Sequence, residues 1–178
     1  MSSPDPFTAD PAKLRIVLYP APVLRQKAQE ILEITPAIVS VAERMFDLMD
    51  EAEGVGLAAP QVGLPWRMFV VNATEEDPER RAFINPVISE PARELEPFDE
   101  GCLSLPGITA EVRRPAGVTI TATGLDGQAF KLTSNGFPAR IWQHEFDHLE
   151  GALIIDKMRL IDRRANQRAI RDLEANGK

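Results

Sequence analysis

The sequence predicts an α+β fold in which mainly antiparallel β-sheets pack around a central helix, with a further helix at the C-terminus. Three observations carry this. Several short runs rich in β-branched and aromatic residues are bounded by proline, glycine or aspartate, as strands are. Asp126-Gly127 between two such runs is the strongest short-range hairpin signal. Helical stripes occur at only a few places, without the regular alternation that builds a parallel sheet.

In chain order, "KLRIVLYP" is predicted as a first strand, stopped by Pro20 and Pro22, and "PVLRQKAQEI" as a short helix or turn. Thr35-Pro36 supplies an N-cap followed by proline at the first helical position. The apolar stripe Ile38, Val41, Ala42, Met45, Leu48 and Met49 then predicts a helix to about Glu53, ended by Gly54. "RMFVVN" and "AFINPVISE" read as strands separated by the charged loop "ATEEDPERR". A polar connector leads to "EGCLSLPGITAEVRRP", and "VTITATGLDGQAFKLTS" is the predicted hairpin. "GFPARIWQHEFDHLEG" is a helix from near Pro138 to Gly151, and a last helix spans roughly 160–175. At 178 residues, with no repeats and no linker, the chain is expected to form one domain over 1–178, its first twelve residues a mobile leader.

A net charge of −7 disfavours DNA and RNA for the surface as a whole. From Lys157 to the C-terminus, however, seven basic residues outnumber three acidic ones, a local +4 against −11 for the rest. No apolar run approaches the ~20 residues of a membrane span. "MSSPDPFTADPAK" lacks the features of a secretion signal or transit peptide, so a cytoplasmic location is expected. One cysteine, Cys102, excludes an internal disulfide and suits a reducing compartment.

The chain's only histidines, His144 and His148, lie four residues apart with Glu145 between them. On a helix both imidazoles project from one face and can grip one metal ion, with the glutamate beside it as general base. A chance match of this kind in a chain this long is roughly a one percent event. The predicted helix is therefore a metal-binding helix. Two histidines need a third protein ligand, and a structural zinc site would need four cysteines or histidines, whereas this chain owns three. Cys102 in "EGCLS" completes the set; the competing arrangement takes Glu174 as the third ligand, as a zinc endopeptidase would. In "GVGLAAPQVG", Gln61 offers a neutral amide able to donate to a developing oxyanion.

"GVGLAAPQ", "EGCLS" and "HEFDH", in this order and spacing, resemble the three signature motifs of the bacterial-type peptide deformylase family, and the likeness extends over roughly residues 14 to 160. The resemblance implies a metal-dependent hydrolase that removes the formyl group from N-formylmethionine at the start of nascent polypeptides. Cys102, His144 and His148 would hold the metal. Glu145 would act as general base and acid, and Gln61 with the backbone amide of Leu103 as oxyanion donors. By family position Val55, Phe98, Phe137 and Ile141 line a methionine pocket, and Gly54, Val55 and Gly56 pair with the peptide backbone as an edge strand would. Asp147 is expected to pair with Arg114, and Glu100 to support the site. Ligand softness suits zinc, whereas the resemblance implies Fe(II), with nickel or cobalt as substitutes. In the terminal helix, Arg164, Arg168 and Arg171 form a basic stripe opposite Ile161, Ala165 and Ala169. That helix reads either as a solvated element docked by its apolar side or as a contact for ribosomal RNA. A non-catalytic peptide-binding relative is a further reading, disfavoured by the joint presence of Glu145, Gln61 and Cys102.

Overall fold

The computed structural model describes residues 7–177. Of the expected leader over 1–12, residues 1–6 lie outside the described residues. Phe7 is buried and meets Trp66 edge-on at 5.7 Å.

Helix α1 (Pro36–Glu51) starts as expected, with the Thr35 hydroxyl accepting from the Ile38 amide. All six residues of its predicted stripe are buried. It ends differently: Glu53, at φ 54°, turns the chain, and the Gly54 amide reaches back to the carbonyl of Met49. Glu53 rather than Gly54 therefore takes the left-handed position of the cap.

A five-stranded antiparallel sheet follows, ordered β1 (Gly56–Ala58), β2 (Met68–Val71), β3 (Arg81–Ser89), β6 (Val118–Thr123) and β7 (Ala129–Ser134). β2, β3 and the β6–β7 hairpin match expectation, and Gly127 takes φ 77° in the turn between β6 and β7. β3 carries a register shift between Ile84 and Val87 that accommodates Pro86, as a proline inside a sheet requires. β4 (Leu95–Gly101) and β5 (Thr109–Pro115) form a separate antiparallel ribbon.

"KLRIVLYP" is not a strand. It runs extended, with Val17 bonded to Gln61 and Tyr19 to Ser104, neither of which belongs to a ladder. Its neighbour Pro22–Arg25 is a single 3-10 turn. The central helix α2 (Phe137–Leu149) lies against the sheet through Ala139, Ile141, Trp142 and Leu149, which join Phe69, Phe83 and Ile120 in one core cluster. After one short turn, α3 (Ile154–Lys157), the expected terminal helix is two pieces, α4 (Leu160–Ala165) and α5 (Gln167–Asn176). The break at Asn166 re-aims the apolar face: Ile170 is buried, while Ile161 is 69% exposed and Ala165 is exposed too. No helix among the described residues is long and apolar enough to cross a membrane.

Candidate metal centre

Three elements converge on one point. α2 presents His144 and His148, one turn apart, towards the turn after β4, where Cys102 sits. Sγ of Cys102 lies 3.4 Å from Nε2 of His148, and ligand atoms of all three residues fall within 4.8 Å of one another. The third side is the turn at Ala59–Val62, which follows edge strand β1. There the Gln61 side chain is fixed end to end. Its Oε1 accepts from the Ala58 amide at 2.9 Å, which forces Nε2 towards Cys102 Sγ (3.6 Å) and Ser104 Oγ (3.3 Å).

Glu145 faces the same space. It is 3% exposed, and its Oε2 has no partner among the described residues. The β1 backbone approaches it so closely that a Cβ on Gly56 would stand 2.5 Å from Oε1. Gly56 is thus fixed by lack of room. Burial raises the Glu145 carboxyl to about 7, against the opposing charges of His144 and Arg114.

Behind the histidines lies a buried charge network. Both Glu100 oxygens accept from Arg114 (2.6 and 2.8 Å); Oε1 also accepts from Arg140 (3.1 Å), and Oε2 lies 3.0 Å from Nδ1 of His144. That last contact makes Nδ1 the protonated nitrogen of His144 and leaves Nε2 to face the cysteine, as a metal-ligating histidine requires. Arg114 donates to Asp147 as well (2.7 Å), as expected, and Lys157 closes the chain on the other Asp147 oxygen. Burial alone would raise Glu100, but its bonds to Arg114 and His144 reverse this and hold it at about 2.

The two histidines are pushed in opposite directions. Burial, then the charges of His144 and Arg114, drives His148 well below its usual value and keeps it neutral. Burial also acts to lower His144, yet its bonds to Cys102 and Glu100, with the Glu145 charge, raise it to about 10. The sulfur-plus-imidazole donor set of the cluster suits a divalent transition metal.

A cavity of about 390 Å³ opens onto this cluster. Gly54, Val55, Gly56, Gln61, Phe98, Cys102, Leu103, Phe137, Ile141, His144 and Glu145, all singled out from the sequence, line it; His148 stands behind, 1% exposed. Phe98 and Phe137, both on its wall, meet each other with ring centroids 6.0 Å apart. Glu174, the competing third ligand, is elsewhere: on α5 it accepts from the Tyr19 hydroxyl at 3.0 Å. The sequence reading missed Ser104 and Arg140. Ser104 is fully buried under Gln61, and Arg140 spans the Glu100 carboxylate and the carbonyls of Val112 and Glu96. Arg140 carries no periodic signal: one turn before His144, it lies on the side of α2 away from the core-facing Ala139, Trp142 and Leu149.

A His-Glu-x-x-His helix facing one cysteine, with an open cavity on the free side, defines an α+β protein with a three-residue group able to hold a metal ion. The polypeptide deformylase family model matches residues 13–164, and the chain belongs to that family. It is 46% identical over 147 residues to peptide deformylase 1B, chloroplastic/mitochondrial, of Arabidopsis thaliana, covering 82% of this chain and 54% of that one. It is 44% identical over 154 residues to the peptide deformylase of Cytophaga hutchinsonii, covering 84% of each. The chain spans about half the length of the plant relatives from Arabidopsis and tomato. Among solved structures, peptide deformylase from Plasmodium falciparum superposes with a TM-score of 0.86 at 40% identity, covering 91% of this chain and 96% of that one.

Proposed function

We propose that this protein hydrolyses the formyl group from the N-terminal formylmethionine of newly made polypeptides, releasing formate. The observation that carries this reading is the aim of Gln61 Nε2 at Cys102, beside an unpartnered Glu145 oxygen, on the wall of a cavity with an apolar side.

Cys102, His144 and His148 would hold one divalent ion, with Fe(II) the proposed occupant and zinc, nickel or cobalt as alternatives. When bound, such an ion supplies Lewis-acid polarisation and a water acidified to near neutrality. The protein's own groups do the rest. The peptide backbone lies along Gly54–Gly56, at the open edge of the sheet. The methionine side chain enters between Phe98, Phe137 and Ile141. As water attacks the formyl carbon, Glu145 takes its proton; as the C–N bond breaks, Glu145 passes that proton to the departing amine. A carboxyl poised at about 7 suits both transfers. Gln61 Nε2 and the Leu103 amide donate to the formyl oxygen as it becomes negative.

Formate release from a formyl-methionyl tripeptide, with protein purified without oxygen and loaded with Fe(II), tests the reading. Rapid release by the wild type, with neither release nor metal retention by Cys102→Ser, is expected; no release despite one bound metal per chain would overturn it.

A cytoplasmic site of action is proposed on the free Cys102, which suits a reducing compartment. Ribosome contact through α4 and α5 is proposed on Arg164, Arg168 and Arg171, all exposed, whose one ion pair among the described residues is a 3.9 Å contact of Arg168 with Asp172. Ribosome affinity at low salt that survives deletion of residues 160–178 would end that idea.

A further inference from the structure

The loop from Asn72 to Arg80, between β2 and β3, belongs to none of the signature motifs, yet it joins two walls of the cavity. At its start the Asn72 amide donates to the carbonyl of Val55 at 2.9 Å. Four residues on, Glu76 reaches the start of α2, where Oε1 accepts from the Phe137 amide at 3.3 Å. The helix needs an outside partner there. Its N-cap is Gly136, which has no side chain to cap with, and the first-turn donors of any helix lack intrahelical acceptors.

The fit between the two is close. A Cβ on Gly136 would overlap the Glu76 carboxylate, with Cδ only 2.7 Å away. Gly136 has φ −132°, outside the left-handed region, and a side chain there would push the exposed Glu76 carboxylate aside. Nor is Glu76 on a loose tether. The Thr74 amide donates to the Asp77 carbonyl (2.7 Å), the Asp77 amide to the Thr74 hydroxyl (3.0 Å), and Arg81 holds the Asp77 carboxylate (2.6 Å).

We propose that Glu76 is a positioning residue for the methionine pocket: it caps α2 from outside the helix and so fixes Phe137 opposite Phe98. The proposal rests on the deformylase reading above. A carboxylate at this end also matches the sign of the helix dipole. Further along α2, His144 is held by Glu100 and Ile141 by the core, so the effect of the cap is confined to the first turn. Glu76 thereby governs how well the substrate side chain is gripped, and not the chemical step.

The test compares Glu76→Ala, Glu76→Gln, Gly136→Ala and the double variant Glu76→Ala/Gly136→Ala as metal-loaded proteins, on formyl-methionyl and formyl-leucyl tripeptides. Glu76→Ala is expected to raise KM for the methionyl substrate about three- to tenfold, the scale of a lost cap, with kcat nearly unchanged and the preference over leucine narrowed. Glu76→Gln, whose amide oxygen accepts the same bond, should stay near wild type. Gly136→Ala should reproduce the Glu76→Ala effect, and the double variant should be no worse than either. Unchanged KM and selectivity in Glu76→Ala, or additive effects in the double variant, overturn the proposal. Deuterium exchange over residues 137–140 decides it even if the wild type releases no formate, an outcome that would sink the deformylase reading alone. Faster exchange in Glu76→Ala but not in Glu76→Gln supports the cap; equal exchange in all three removes it.

Discussion

Glu145 combines two properties that are seldom found together, full burial and a carboxylate oxygen with no partner. The first raises its pKa to about 7, and the second leaves it free to exchange a proton with whatever occupies the cavity. Glu145→Gln preserves shape and removes the proposed base. The expected result is kcat lowered ~10² to 10⁴-fold with metal content unchanged, read by formate release alongside metal analysis. Gln61 differs because its orientation is imposed from outside the site, by the Ala58 amide. Gln61→Ala should cost about 10² to 10³ in kcat, the usual loss for one oxyanion donor, with KM moving less. Cys102, His144 and His148 could be singled out from residue type and spacing, since they are the only cysteine and the only histidines of this chain. Ser104 and the reach of Arg140 could not, because a buried hydroxyl and a buried guanidinium leave no periodic trace. Their roles exist only once the strand, turn and helix have met.

Amphipathic elements were legible and half-hidden ones were not. α1 and the β6–β7 hairpin announce themselves by an apolar stripe and by an Asp-Gly turn. β4 has no such signal: every residue of it except Glu100 is exposed, so no alternation marks it and it reads as polar connector. Yet β4 carries Phe98 and Glu100 to the site. "KLRIVLYP" errs the other way: Leu14 and Ile16 join the core beside α1, and Val17 and Tyr19 the cluster around Leu24, but no strand pairs with it. At the C-terminus the sequence stripe is continuous, but Asn166 ends α4 and spends its side chain on the carbonyls of Thr109 and Asp162. Ile170 then becomes the docking residue, in a cluster with Leu24, Leu153 and Ile155. Ile170→Ala should destabilise the protein by about 2–4 kcal/mol, the usual range for a truncated core isoleucine. Denaturant unfolding measures it. kcat should be unaffected, since α5 contributes nothing to the cavity lining.

Across the whole molecule, one charge network ties the ribbon to the central helix and to the turn that follows it. Glu100 of β4 meets Arg114 of β5, and both Arg140 and His144 of α2; Arg114 continues to Asp147, and Asp147 to Lys157 of α3. The central helix is therefore locked to the ribbon by ionised groups, and that lock must respond to acid. Glu100 is held at about 2, below the ordinary 4.5, so its folded form binds the proton less readily than its unfolded form. The sign follows: its contribution is complete above pH 4.5 and is lost as pH falls towards 2. A shift of this size corresponds to about 3 kcal/mol at neutral pH for a group so deeply buried. Glu145 works in the opposite sense, since a raised carboxyl favours the folded state below 4.5 and ceases to do so as pH rises through 7. Comparing wild type with Glu100→Gln at each pH cancels the surface carboxylates, and a window below pH 5.5 lies under the wild-type Glu145 value of about 7. The stability gap, from urea unfolding, should be about 3 kcal/mol at neutral pH and narrow by about 1 kcal/mol between roughly pH 5.5 and 3.5. A gap constant across that window would mean that Glu100 titrates alike in the folded and unfolded chain, and that the lock between ribbon and helix is held by packing and not by charge.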